Sequence, residues 1–194
     1  MSTKPVSWDQ IKATPLVLVT GNEDFLASRS IRLLRDKLRA EAPELEVTEL
    51  DASDYEPGQL DDYSTPSLFG EPRLIIIRSV ERCTDELIDD GIRYLADPTD
   101  ETVVIFRHNS SSVRGKRLLE ALRENKQTTE VLCEQISERD RPAFAANEFK
   151  TAGKKITQQA LNDLCEAFTT DLGELAAACQ QLIDDSAETI DEKV

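Results

Sequence analysis

Three observations predict an α/β chain in two parts, a parallel sheet flanked by helices and then a small all-helical region. Short apolar runs rich in β-branched residues, Leu16–Thr20 (LVLVT), Arg73–Ser79 (RLIIIRS) and Glu101–Phe106 (ETVVIF), read as strands buried on both faces. Amphipathic stretches of helical period separate these runs, and strands alternating with helices imply parallel pairing through right-handed crossovers. After about residue 137 no strand candidate remains, while three helical stretches follow. The expected organisation is a lead-in over 1–15, an α/β domain over 16–137 and a helical domain over 138–194.

Each element has its own reason. The first fifteen residues hold two prolines and an isolated tryptophan, so they read as a lead-in with one helical turn at Trp8–Lys12. Leu16–Thr20 is the first strand, bounded by Pro15 and Gly21. In the helix that follows, Leu26, Ser30, Leu33, Leu34, Lys37 and Leu38 trace a partly broken stripe, with Arg29, Arg32, Arg35, Asp36 and Arg39 opposite and Pro43 as the stop. Glu46–Leu50 (EVTEL) alternates as a half-buried strand does, and the acidic stretch Asp51–Asp62 reads as a loop around a short helix. Arg73–Ser79 is the third strand. Cys83–Ala96 carries apolar residues at 83, 87, 88, 92 and 95 and stops at Asp97-Pro98. Glu101–Phe106 is the fourth strand, Val113–Glu124 the next helix and Thr129–Cys133 (TEVLC) a fifth short strand. The last helices are expected over Arg139–Thr151, Gln158–Phe168 and Leu172–Ile183. Ser137-x-x-Asp140 and Asp171-x-x-Glu174 have the spacing of capping boxes, and Gly153 suits the residue just past a helix end.

Composition excludes several classes of function. The chain has 194 residues with 23 Lys+Arg against 38 Asp+Glu, a net charge of −15 with the single histidine neutral. Such a chain repels phosphate backbones, which argues against a free-standing nucleic-acid binder. The acidity is shared, with 18 basic and 28 acidic residues up to 140 and 5 and 10 beyond, so it marks no tail. Cys83, Cys133, Cys165 and Cys179 form no C-x-x-C pair, so neither a structural zinc site nor another metal site is expected. The apolar runs, such as Leu74–Ile77, are far too short for a membrane span. A reduced, cytoplasmic protein without membrane contact is expected.

Two segments resemble phosphate loops and fail on chemistry. In LVLVTGNEDF a glycine turn joins the first strand to the first helix, where α/β proteins hold phosphates. It has one glycine, no lysine, and Glu23 and Asp24 where phosphates would lie, so it reads as a nucleotide-free turn with no cofactor. In SSSVRGKRLL, Ser110 replaces the first required glycine and Arg117 the magnesium-binding hydroxyl. The basic residues Arg114, Lys116, Arg117, Arg123 and Lys126 read as a solvated helix start, and within 114–126 they leave open contact with a phosphate or acidic partner. A P-loop-like nucleotide-binding enzyme and a nucleic-acid-binding module on 114–126 are therefore the competing functions. No nucleophile elbow is present, and His108 reads as a surface or edge histidine. The pairs Asp61-Asp62, Asp89-Asp90 and Asp184-Asp185 follow from composition, because adjacent helical positions do not face each other. No catalytic residue is expected.

The most informative segment is TPSLFGEPRLIIIR, residues 65–78. Leu68 and Phe69 are adjacent, boxed by Pro66 and by Gly70-Glu71-Pro72. Neighbours point about 100° apart on a helix and to opposite faces of a strand, so one small core site does not take both easily. They either plug the sheet edge or form an exposed two-residue anchor for a pocket on another protein. Three blocks then match one family in order: LVLVTGNEDFLASRSIRLLRDKL, LDASD followed by TPSLFGEPRLIIIRSVE, and KKITQQALNDLCEAFTTDLGELAAACQQL. Across about residues 14–194 the chain resembles the delta subunit of bacterial DNA polymerase III, the clamp-loader subunit that opens the sliding clamp.

The resemblance implies an AAA+-like α/β domain without a functional P-loop, followed by a helical lid domain. It implies a clamp-binding site made of Leu68 and Phe69, which insert as a hydrophobic wedge, flanked by Thr65, Pro66, Ser67 and Gly70. Its implied partners are the sliding clamp (beta subunit) and other clamp-loader subunits, with primed DNA met only indirectly within the complex. The family usually continues into a third, collar-forming helical domain, and this chain ends at TIDEKV, about where that domain is expected to begin.

Overall fold

Apolar runs with no polar face need neighbours on both sides, and a parallel sheet supplies them. In the computed structural model, which describes residues 4–67, 70–185 and 189–190, the chain divides into two units, Met1–Gln135 and Ile136–Val194. The first contains strands β1 (Val6–Ser7), β2 (Leu16–Thr20), β3 (Glu46–Asp51), β4 (Arg73–Arg78), β5 (Thr102–His108) and β6 (Thr128–Leu132), with helices α1 (Asp24–Glu41), α2 (Gln59–Ser64), α3 (Asp85–Tyr94) and α4 (Lys116–Glu124). The strands form one parallel sheet in the order β1-β6-β2-β5-β4-β3. Lying between β5 and β6, β2 is buried at all five positions.

The helices follow from crossover handedness. From β3 through β4 and β5 to β6 the chain steps across the sheet in one direction, so right-handed connections place α2, α3 and α4 on one face. The step from β2 to β3 runs the other way and takes α1 to the opposite face. The main core cluster accordingly joins Leu16, Leu18, Ile75, Ile77, Val104 and Phe106 of the strands to Leu60, Leu87 and Leu118 of α2, α3 and α4. The alternate strand residues Val17, Val19, Ile76 and Ile105 are equally buried and point the other way.

Several expectations need correction. The lead-in supplies an edge strand, because β1 pairs with β6 through Val6–Val131 and Ser7–Leu132, and its helical turn is a 3-10 turn at Trp8–Gln10. The buried stripe of α1 runs through Leu26, Ala27, Ser30, Ile31 and Leu34, while Leu33, rotated to its margin, is 42% exposed. α4 begins at Lys116, after Gly115 in the left-handed region, and Val113 is left 84% exposed.

The second unit packs α5 (Arg141–Thr151), α6 (Gln158–Ala167) and α7 (Leu172–Asp185), and adds a parallel two-residue ladder between β7 (Lys155–Ile156) and β8 (Thr189–Ile190) that apolar patterning did not reveal. Two-residue strands carry too little periodicity to be read. α5 ends in paired bonds from Lys154 N to Phe149 O (2.9 Å) and Gly153 N to Lys150 O (3.0 Å), the closure expected around Gly153. Asp171 caps α7, its Oδ1 accepting from Gly173 N (2.6 Å) and Glu174 N (3.1 Å). Ser137 does not cap: its hydroxyl donates to the Asp140 carboxylate (2.6 Å) across a 3-10 turn.

Candidate functional site

The segment from α2 into β4 is the first candidate. α2 is only six residues long, too short to be stable by itself, so other elements must hold both its ends. At its start the buried carboxylate of Asp90, on α3, gathers the donors. Asp90 Oδ2 accepts from Gly58 N (2.7 Å) and from the Tyr55 hydroxyl (3.0 Å), and that hydroxyl in turn accepts from Leu60 N (2.8 Å). Arg93 Nη1 lies 2.8 Å from the other oxygen. Burial by itself would raise the Asp90 pKa, but the Gly58 amide, the Tyr55 hydroxyl and Arg93 outweigh it and hold the carboxyl below its ordinary range. Burial, with Asp90 adding to it, pushes the Tyr55 hydroxyl well above its ordinary value. Asp89, the neighbour in sequence, is exposed and faces Arg117, as adjacent helical positions require.

At the other end of α2, Arg73 Nη1 donates to Tyr63 O (3.0 Å) and to Thr65 O, and its Nε lies 3.1 Å from Glu46 Oε2 on β3. The Thr65 hydroxyl donates to Asp61 O (2.9 Å). Beyond it, the Ser67 hydroxyl donates to Glu71 Oε2 (2.9 Å), and Gly70 N donates to Ser67 O (3.1 Å) with Gly70 at φ +70°. Thr65, Pro66 and Gly70 are exposed and Ser67 is half-buried. Leu68 and Phe69 lie outside the described residues.

The glycine turn is the second candidate, and backbone already fills the space beside its glycine. Gly21 has φ +120°, and Cys133, just past β6, packs against it so closely that a Cβ at position 21 would stand 2.1 Å from Cys133 O. That carbonyl accepts from Glu23 N (3.0 Å), and Cys133 N donates to Thr20 O (2.7 Å). Backbone thus occupies the crevice at the carboxyl end of the central strand, where open α/β sheets bind ligands. Glu23 caps α1 through Phe25 N (3.3 Å), and Asp24 pairs with Arg107 (2.7 Å). Burial pushes the Cys133 thiol up to about 11.

The basic stretch 114–126 is mostly committed within the chain. Arg114 donates to Cys83 O and Asp85 (both 2.8 Å), Lys116 faces Glu120 (3.6 Å) and Arg117 faces Asp89 (3.5 Å). Arg123 meets both oxygens of Glu130, which is 7% exposed and also accepts from Thr20 Oγ1 (3.1 Å). His108 is not a surface or edge residue: β5 lies between β2 and β4, and the ring is 2% exposed. Its Nδ1 accepts from Ser110 N (2.9 Å) and its Nε2 lies 3.1 Å from Arg114 O, so it braces the loop between β5 and α4.

In the second unit a cavity of about 250 Å³ is lined by Glu138, Arg141, Asn162, Cys165, Glu166 and Thr169, among others. Burial raises the Cys165 thiol against the pull of Arg141, so it is poorly suited as a nucleophile. Arg141 Nη1 donates to Phe168 O (3.1 Å), beyond the end of α6. Among the described residues no cluster of three or more His, Cys, Asp or Glu side chains is arranged to hold a metal ion, and no helix is long and apolar enough to cross a membrane.

The profile of the family described as DNA polymerase III, delta subunit, matches residues 18–134, which include both candidate segments. The chain belongs to that family. Among solved structures, the Bacillus subtilis DNA clamp loader delta protein (YqeN) superposes with a TM-score of 0.69 at 18% identity, over 95% of this chain and 57% of that one. This chain therefore spans little more than half the length of that relative. Two structures of Thermotoga maritima RuvB variants match with TM-scores of 0.52 and 0.54 at 10% and 11% identity, each over 91% of this chain and 58% of theirs. At such identities the likeness is one of fold, an AAA+-like parallel sheet flanked by helices. No curated protein matches the chain.

The sequence singles out the 65–78 segment as a candidate but carries little sign of what holds α2 before it. Asp90 looked like half of a chance acidic pair; its one signal was a place among the apolar positions 87, 88, 92 and 95. Arg73 read only as the polar start of a strand. Cys133 gave no signal, because its role is played by its backbone.

Proposed function

We propose that this chain is a clamp-loader delta subunit that binds and opens the DNA polymerase sliding clamp during replication in the cytoplasm, through a wedge formed by Leu68 and Phe69. The observation that carries the reading is the family match over 18–134, which contains the 65–78 segment whole. The bonds just before the anchor support it: α2, which leads into that segment, is held at its start by Asp90 and at its end by Arg73. Each anchor residue contributes roughly 1.5–3 kcal/mol when fully buried in an apolar pocket. Thr65, Pro66, Ser67 and Gly70 frame the wedge. Opening follows if the wedge and its surroundings bind an open clamp more tightly than a closed one, since a ligand shifts an equilibrium only by its differential affinity. Other loader subunits supply nucleotide chemistry and DNA contact, the α/β unit acts as an AAA+-like module without a working nucleotide site, and residues 138–194 act as its lid.

The test is binding of the 194-residue chain to the sliding clamp of its own organism, beside a Leu68→Ala/Phe69→Ala variant shown to be folded. Micromolar or tighter binding that disappears in the variant is expected. No binding by the parent, or equal binding by the variant, overturns the proposal.

A further inference from the structure

We infer that the outward face of α1 is a docking surface for an acidic segment of another protein, on the side of the sheet away from α2 and independent of the function proposed above. The stripe Leu26, Ala27, Ser30, Ile31 and Leu34 is buried against the sheet. At about 100° per residue the opposite crest carries Phe25, Arg29, Arg32, Asp36 and Arg39 within an arc of about 80°, with Leu33 and Lys37 along one shoulder. The helix holds five basic and three acidic residues in a chain whose net charge is −15.

The use of those charges sets this face apart. Every arginine between residues 73 and 123, eight in all, has a nitrogen within 3.7 Å of a carboxylate oxygen. Arg32, Lys37 and Arg39 are exposed, and among the described residues their side chains make no ion pair or hydrogen bond. The nearby acids are drawn elsewhere, Asp24 to Arg107 (2.7 Å) and Asp36 to Arg35 (3.4 Å). Arg29 is stacked instead, its guanidinium carbon 4.9 Å from the centre of the Trp8 ring and 5.9 Å from that of Phe25, so the lead-in adds an aromatic border to the crest. Leu33, 42% exposed, adds an apolar contact beside it.

Arginine and aromatic side chains around an apolar residue are the mixture protein interfaces favour. Arg32 and Arg39, about 10 Å apart along the helix, present planar forks that each suit one carboxylate. Duplex DNA fits poorly: over the roughly 15 Å from Arg29 to Arg39 it presents about nine phosphate charges, against three uncommitted cations and a carboxylate, Asp36, in their midst. The charge of the rest of the chain is screened beyond about 8 Å at physiological salt, so the local face governs the contact.

The experiment titrates the 194-residue chain into dye-labelled poly-L-glutamate, with anisotropy reading binding and the emission of Trp8, the single tryptophan, reading its place. Saturable binding with a change at Trp8 is expected at about 20 mM salt, weakening about tenfold or more by about 150 mM. Arg32→Gln/Arg39→Gln is expected to weaken it about tenfold, while Lys116→Gln/Arg117→Gln, on α4, alters it less than about twofold. All four changes are at exposed positions, and circular dichroism confirms that both variants fold. No binding by the parent, binding that leaves Trp8 unchanged, or an affinity that the α1 variant keeps overturns the proposal. Tighter binding of a short DNA duplex than of poly-L-glutamate also overturns it, because the face would then be a phosphate surface.

Discussion

Replacing Gly21 by alanine tests whether the crevice at the end of the central strand is closed by backbone. Alanine introduces a Cβ 2.1 Å from Cys133 O and 2.4 Å from Cys133 C, at φ +120°. Normal contact needs roughly 3.5 Å, so the Cys133 peptide must retreat by more than about 1 Å. That retreat breaks the bonds Cys133 N to Thr20 O and Glu23 N to Cys133 O, each worth about 1 kcal/mol net. The dihedral adds about 1–3 kcal/mol for a residue with a side chain. The expected loss is about 3–5 kcal/mol, a large part of the 5–15 kcal/mol by which domains of this kind are stable. Urea denaturation followed by circular dichroism measures it, with Gly58→Ala as the control. Gly58 also has a positive φ, of +85°, but nothing lies within 4 Å of its Cβ position, so alanine there costs only the dihedral strain. A loss below about 1 kcal/mol at position 21 with an unchanged denaturant slope, or equal losses at 21 and 58, would refute the packing argument.

Two further outcomes concern titration. Asp90 has a folded pKa below its unfolded value of about 3.9, so its contribution to stability is present above that value and fades as pH falls through the folded pKa. Asp90→Asn is expected to lose about 1.5–3 kcal/mol near pH 7 and to close part of that gap below about pH 4, read from urea midpoints between pH 2.5 and 7; a gap constant with pH would contradict it. The Cys133 thiol, buried and pushed up to about 11, is expected to react with a disulfide reagent at pH 8 at least about a hundredfold more slowly in the folded than in the unfolded chain, and comparable rates would show that the crevice opens.

The sequence alone determined the strand–helix alternation and the change to a mostly helical region near residue 137. These are local signals: β2, at Leu16–Thr20, matches its apolar run residue for residue because that run has neighbours on both sides whatever their order. Family membership was legible for the same reason, since three short blocks keep their order along the chain. Only the tertiary structure decided which strands meet, and with that the pairing of Val6–Ser7 to β6, the burial of His108 on a central strand and the closing of the Gly21 turn by Cys133. Each depends on residues about 30 to 125 positions apart, and no local period encodes such a distance. The supports of the candidate site belong to this second kind. Asp90 reaches Gly58 across 32 positions, and Arg73 reaches back to Tyr63 and Thr65 only because β4 returns alongside β3. A lone charged residue beside an apolar run looks the same in sequence whether it faces water or carries a loop; its partners, brought near by the sheet, make the difference.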